Sequence, residues 1–310
     1  MWYKNLCFYR LPSEPVALDA LQAALEKHPF ARCDGLQWFS EGWVALANHL
    51  DGPVFSAREC MLVSLKREDK VLPPAVINEF TDAKAEELSE SEHRKIGRKE
   101  RLAIKEQVTD DLLPRAFTRP SLMSGYLDSR RHLLMIDANA GKAEAFVSKL
   151  RDALPPFPAS LVRTNIAPHA AMTDWLAAGA APEGFELDAE CELKDSGENG
   201  AVVRCVRMDL TTEEIQKLIA TGKQVTRLGL IWKERVRFVL TDTLQIKRIQ
   251  FLDVLQDEAS QAGDDMASLF EATFTLMVEE LGGLADALVA VLGGEEGAGE
   301  KAADAGDVSH

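Results

Sequence analysis

The sequence predicts an α+β protein in which antiparallel sheets carry flanking helices, with a long helical excursion in the first half. Three observations predict it. Short apolar segments of strand character recur in both halves, helical periodicity occupies the stretches between them, and Val76 to Leu113 is strongly helical in composition. With 310 residues, 46% hydrophobic and 27% charged, the chain can bury a substantial core and is long enough for two domains.

The opening WYKNLCFYRL is rich in aromatic residues and bounded by Pro12, so it reads as a strand. LDALQAALEKH then sets Leu18, Leu21 and Leu25 at helical spacing. Two further β-like runs, LQWFSEGWVAL and CMLVSLKRE, precede LPPAVINEF, which opens a helix with proline in its first turn. Gly97 divides the helical excursion, residues 75–113, into two helices. After Pro114, SGYLDSRRHLLMIDA is a hairpin turning near Ser129 and Arg130, and GKAEAFVSKLRDAL is a helix that packs through Ala145, Val147 and Leu150.

The proline cluster LPPFPAS sets a boundary near Pro155 to Pro158, giving an α+β region 1–155 and a second α+β region 156–293. The second region opens with a short helix around Met172 to Ala178 and a strand over 201–207. Thr211 and Glu214 form a capping-box pattern for the helix TTEEIQKLIATGK, with Ile215, Leu218 and Ile219 on one face and Gly222 as its stop. In VTRLGLIWKERVRFVLTD both arms alternate. Leu228, Leu230 and Trp232 must oppose Val236, Phe238 and Leu240, and only an odd loop, three residues (Lys233 to Arg235) or five, does so. Arg227 and Arg237 then share the solvent face with Gly229 and Ile231. The last helix, about Asp264 to Leu292, is apolar nearly all round, which suits packing between other elements. YLDSRRHLLMID and IWKERVRFVLTD echo one another, as a duplicated hairpin unit would, although shared hairpin grammar is the favoured explanation.

Charge is segregated. The chain has net charge −15, yet residues 201–250 carry ten basic side chains against five acidic ones, which predicts a locally positive surface. Phosphate binding responds to the local field, so polyanion binding is the leading expectation, against simple solvation of a sheet face. Residues 251–310 hold one lysine, no arginine and fourteen acidic residues. The stretch 294–310 lacks apolar periodicity and is expected to be a disordered acidic tail, either a solubilising terminus or a mimic of nucleic acid.

Several chemistries are excluded or disfavoured. The longest apolar runs fall far short of a membrane span and the N-terminus has no signal-peptide pattern, so a cytoplasmic location is expected. The five cysteines (Cys7, Cys33, Cys60, Cys191, Cys205) form no CxxC pair and read as reduced, small apolar residues. IDANAGKAE lacks the first glycine of a phosphate loop and has Ala143 where a magnesium-binding hydroxyl belongs. The six histidines are singletons, and Asp137 and Asp242 at strand ends suit turns better than a two-metal site. No catalytic residue, metal ligand or cofactor is expected.

The ordered motifs WYKNLCFYRL, EGWVAL, LLPRAFTR, MDLTTEEI, GKQVTRLGLIWKERVRFVL, IKRIQFLD and FEATFTLMVEELGGL, spread from residue 2 to about residue 294, resemble the RdgC family of bacterial recombination-associated proteins. The resemblance implies a non-enzymatic, sequence-independent DNA-binding protein. It also implies a nucleoid-associated homodimer closed as a ring around duplex DNA, which restrains RecA-dependent recombination. On that reading Arg204, Arg207, Lys223, Arg227, Arg235, Arg237, Lys247 and Arg248 are the candidate phosphate contacts. Arg94, Lys95, Arg98 and Lys99 of the middle helices, with Arg115 and Arg119 of LPRAFTR, are secondary candidates; Phe117 beside them is expected in the core. The competing readings are a structure-selective metal-dependent nuclease and an interaction module that binds a recombinase without binding DNA.

Overall fold

The computed structural model describes residues 2–47, 50, 52–195, 197, 200–261 and 265–297. In chain order the elements are β1 (Asn5–Arg10), α1 (Leu18–Leu25), β2 (Phe39–Val44), β3 (Val54–Ala57), β4 (Cys60–Val71), α2 (Pro74–Ser91) and α3 (Arg98–Leu112). There follow β5 (Phe117–Asp128), β6 (Leu133–Ile136), α4 (Ala140–Ala153), β7 (Ser160–Leu161), α5 (Pro168–Ala178), β8 (Phe185–Lys194) and β9 (Val202–Val206). The chain ends with α6 (Glu213–Ala220), β10 (Gln224–Trp232), β11 (Val236–Thr241), β12 (Ile246–Phe251), α7 (Asp253–Gln261) and α8 (Met266–Val291). The expected α+β class holds, with antiparallel strand pairing and eight α-helices among the described residues.

Two compact units form. One comprises residues 1–21, 54–62 and 124–310, the other residues 22–53 and 63–123; the proline cluster at Pro155 to Pro158 lies inside the first. In the first unit the strand order runs β6-β1-β12-β11-β10-β8-β9. β1 joins two sets of strands, because Asn5 and Leu6 pair with β12 while Cys7 to Arg10 pair with β6. Helix α8 buries Phe274, Met277, Val278, Leu281, Leu284 and Leu288. Gly283 permits a close approach there, since a Cβ would sit 3.0 Å from the Trp232 ring. Asp128, fully buried, accepts from the Arg130 and Arg131 backbone N–H groups and pairs with the Arg131 guanidinium at 3.0 Å. That satisfies a charge which burial would otherwise make costly. The tail expected from residue 294 is tied down at its root. Asn165 N–H donates to Gly294, Glu296 N–H donates to Arg163, and Arg10 pairs with Glu295 at 2.5 Å. Residues 298–310 lie outside the described residues.

In the second unit β2 runs antiparallel to β4. The helical excursion is the pair α2 and α3, opened by Pro74 in a first turn and by Gly97 as N-cap. Ile77, Ala85, Ile104 and Val108 form its small core at helical spacing, the remaining positions being largely exposed. Three expectations fail locally. Ala145 of α4 is exposed, and that helix packs through Ala143, Phe146, Val147 and Leu150. Thr211 does not cap α6: the N-cap is Thr212, and the Thr211 hydroxyl instead donates to Asp209 at 2.7 Å. Phe117 is 87% exposed, not core, because the first six residues of β5 are exposed throughout and an apolar side chain is buried only where another element faces it.

Candidate nucleic-acid interface

The hairpin of β10 and β11 has the odd loop that its alternation demands. Trp232 pairs with Val236, leaving the three residues Lys233, Glu234 and Arg235 as the turn, with φ of 49° at Lys233 and 55° at Glu234. Leu228, Leu230, Phe238 and Leu240 are thereby buried completely, while Arg227, Gly229, Ile231 and Arg237 occupy the opposite face. Helix α5 packs beside β10, where Thr173 accepts from Val225 N–H, and α8 meets Trp232; the helices thus cover the apolar face.

The other face is charged, and the strand that completes it is β8, which the sequence reading passed over. FELDAECELK alternates: Cys191 and Leu193 turn inward while Glu186, Asp188, Glu190 and Glu192 sit at the outward parity. β8 lies between β9 and β10, setting Glu192 opposite both Arg204 and Arg227. Gly229 makes the fit possible where β8 bulges: a Cβ there would come within 2.9 Å of Glu190 Cγ and 3.2 Å of Asp188 Cβ.

Charge pairing across this face is systematic. Glu192 pairs with Arg204 at 2.6 Å and Arg227 at 3.8 Å, Glu190 with Arg248 at 2.5 Å, and Asp188 with Arg237 at 3.4 Å. Burial alone would raise the Glu192 carboxyl, but hydrogen bonds from Arg204 and Thr226 and the charges of Arg227 and Arg204 hold it below its ordinary range. Arg248 stands at a bulge of β12 with φ of 53°, and Lys247 faces Val239 without a carboxylate partner among the described residues. Arg204, Arg227, Lys247 and Arg248, with Glu190 and Glu192, line a cavity of about 100 Å³. The face is therefore an interleaved lattice of cations and carboxylates, where the charge of residues 201–250 taken alone predicts a locally positive surface.

The structure brings together five of the eight principal candidates: Arg204, Arg227, Arg237, Lys247 and Arg248. Arg207, at φ of 56°, follows β9, is exposed and has no carboxylate partner among the described residues. Lys223 is committed to Asp195, and its side chain is 13% exposed. Arg235 belongs elsewhere. Its guanidinium pairs with Glu280 of α8 at 2.8 Å and Glu258 of α7 at 3.0 Å, which ties the hairpin turn to the helices. All the secondary candidates lie in the second unit. Arg94 is held by Glu92 and Glu100, whereas Lys95, Arg98, Lys99, Arg115 and Arg119 are exposed and without carboxylate partners among the described residues.

Of the two strand-end carboxylates, Asp137 is otherwise employed and Asp242 is exposed. Asp137 accepts the Lys4 and Asn5 backbone N–H groups at 3.1 and 2.8 Å, and burial raises its carboxyl despite them. Among the described residues no group of three or more His, Cys, Asp or Glu side chains is placed to hold a metal ion, and no helix is long and apolar enough to cross a membrane. All five cysteines are free.

The chain matches, over residues 1–295, a family model described as "Putative exonuclease, RdgC". A protein of Laribacter hongkongensis named "Recombination-associated protein RdgC" is 52% identical over 297 residues, covering 95% of this chain and 99% of the relative. Proteins of the same name from Neisseria gonorrhoeae and Pseudomonas entomophila are 45% and 41% identical, each with at least 95% of this chain and 98% of the relative covered.

Proposed function

The chain belongs to the RdgC family, and from that premise we propose that it is a DNA-binding protein of recombination which holds duplex phosphates on the open face of strands β9, β8, β10, β11 and β12. One observation carries the reading: arginine and lysine side chains from four strands converge on a single solvent face whose reverse is the packed core. Guanidinium groups suit phosphate because their planar donors match its oxygens. Among the described residues nothing on this face presents a helix or ribbon to a groove with base-reading side chains, so sequence independence is part of the proposal. Affinities for two unrelated duplexes should agree within about three-fold, a spread below the cost of one mismatched base pair at a specific site. A strong preference for one sequence would contradict it.

We further propose a homodimer closed as a ring around the duplex, nucleoid-associated and restraining RecA-dependent recombination, as the family resemblance implies. Two copies of the charged face would then act on one duplex from opposite sides, with enclosure slowing dissociation. Sedimentation at micromolar concentration should return twice the 34.1 kDa chain mass. A monomer that retains full DNA binding would overturn this part.

The description of the matched family as a putative exonuclease keeps an enzymatic reading alive. We favour binding without cleavage, because Asp188, Glu190 and Glu192 of this face are engaged with arginines and Asp137 with backbone N–H groups. End-labelled duplex incubated with the protein and magnesium should keep its full length. Progressive shortening would establish the nuclease, and binding to RecA with none to bare DNA would establish the interaction module.

A further inference from the structure

We propose that the carboxylates of β8 act as a built-in competitor for phosphate, setting how tightly the charged face holds DNA; the inference rests on the DNA reading above. Asp188, Glu190 and Glu192 alternate along one strand. They share the outward parity of the strand across its bulge opposite Gly229. Each pairs with an arginine of the same sheet: Asp188 with Arg237 of β11, Glu190 with Arg248 of β12, and Glu192 with Arg204 of β9 and Arg227 of β10. A row of anions therefore already occupies the positions where phosphates would be held.

Exposure shows which partner can move. The three carboxylate side chains are 14–24% exposed, whereas the four arginines are 42–68% exposed. The acids are seated at the sheet surface and the guanidinium groups reach over them into solvent. An incoming phosphate can take an arginine without expelling the carboxylate. That carboxylate then remains beside the phosphate and repels it. Gly229 is a separate sign that the arrangement is built: any side chain there would collide with Glu190 and Asp188 and push the acidic strand off the arginines. The consequence is a face that binds polyanions weakly enough to release them, with arginines that stay ordered when DNA is absent.

The test is Glu190→Gln/Glu192→Gln in the full-length chain. Glutamine keeps the shape and one acceptor oxygen but removes the charge. Duplex affinity should rise about ten-fold near 0.1 M salt, and the slope of log K against log salt should steepen by about 0.9 for each arginine released. Glu14→Gln/Asp19→Asn, which removes the same two charges at exposed positions outside this face, should change affinity less than about two-fold, since remote exposed charges are screened. An equal gain in both double variants, or no gain at Glu190 and Glu192, overturns the inference. If the first variant fails to fold, Asp188→Asn, which frees Arg237, reads the same effect at one pair. The DNA reading is tested separately by reversing Arg227 and Arg237: if that leaves binding intact, the face itself is wrong, whereas if it weakens binding while the glutamines add nothing, only the competitor is wrong.

Discussion

Arg227→Glu combined with Arg237→Glu is expected to reduce affinity for duplex DNA at least about 30-fold while leaving the fold in place. The two guanidinium groups stand on adjacent strands of the open face and are 42% and 44% exposed, so neither is packed in the core. Reversal removes two cations and adds two anions per chain, next to Glu192 and Asp188, which turns a phosphate seat into a repelling surface. Stability changes little, because exposed pairs contribute about 0–1 kcal/mol each and the new like-charge contacts remain open to water. A melting temperature within about 4 °C of the parent would show that the loss is one of binding. Unchanged affinity in a folded variant would remove this face from consideration and make Lys95, Arg98 and Lys99 of the second unit the leading cations.

The opposite face responds in the opposite way. Leu230→Ala should destabilise the protein by about 2–5 kcal/mol, since Leu230 is fully buried, pairs with Phe238 across the hairpin and lies opposite Leu187 of β8. Truncation removes apolar burial and leaves a cavity that the surrounding strands cannot fill without shifting. Urea denaturation should show the lower midpoint, and protein still folded at low temperature should bind DNA as the parent does. A change below about 0.5 kcal/mol would mean that this face is not core and that the register of the hairpin is wrong.

The contrast between those two variants was legible in the sequence. Alternation in both arms of the hairpin determined which residues share a face, and parity required an odd loop of three or five residues; the structure has three, between Trp232 and Val236. The helical pair divided at Gly97 was legible from helical composition broken by a glycine, and the last helix from being apolar nearly all round. What was missed is β8. Its inward residues Phe185, Leu187, Cys191 and Leu193 do alternate, but four acidic side chains fill the outward positions, and such residues are poor strand formers by propensity. A basic neighbourhood supplies the compensation, and that neighbourhood exists only after β8 has paired with β9 and β10. The ion pairs of Arg235 were hidden for a related reason. Its partners Glu258 and Glu280 lie 23 and 45 residues further along the chain, so no local pattern announces that this arginine fastens the turn to α7 and α8. Phe117 shows the limit in the other direction: an apolar residue in a strand-like run carries no information about what faces it.

A salt titration of duplex binding by the unmodified protein tests the central claim most directly. Counterion release ties the slope of log K against log salt to the number of phosphates neutralised, at about −0.9 for each. If the charged face of the first unit holds roughly six to ten phosphates, the slope falls at about −5 to −9. A slope near zero, with binding that persists unchanged as salt rises, would contradict the account.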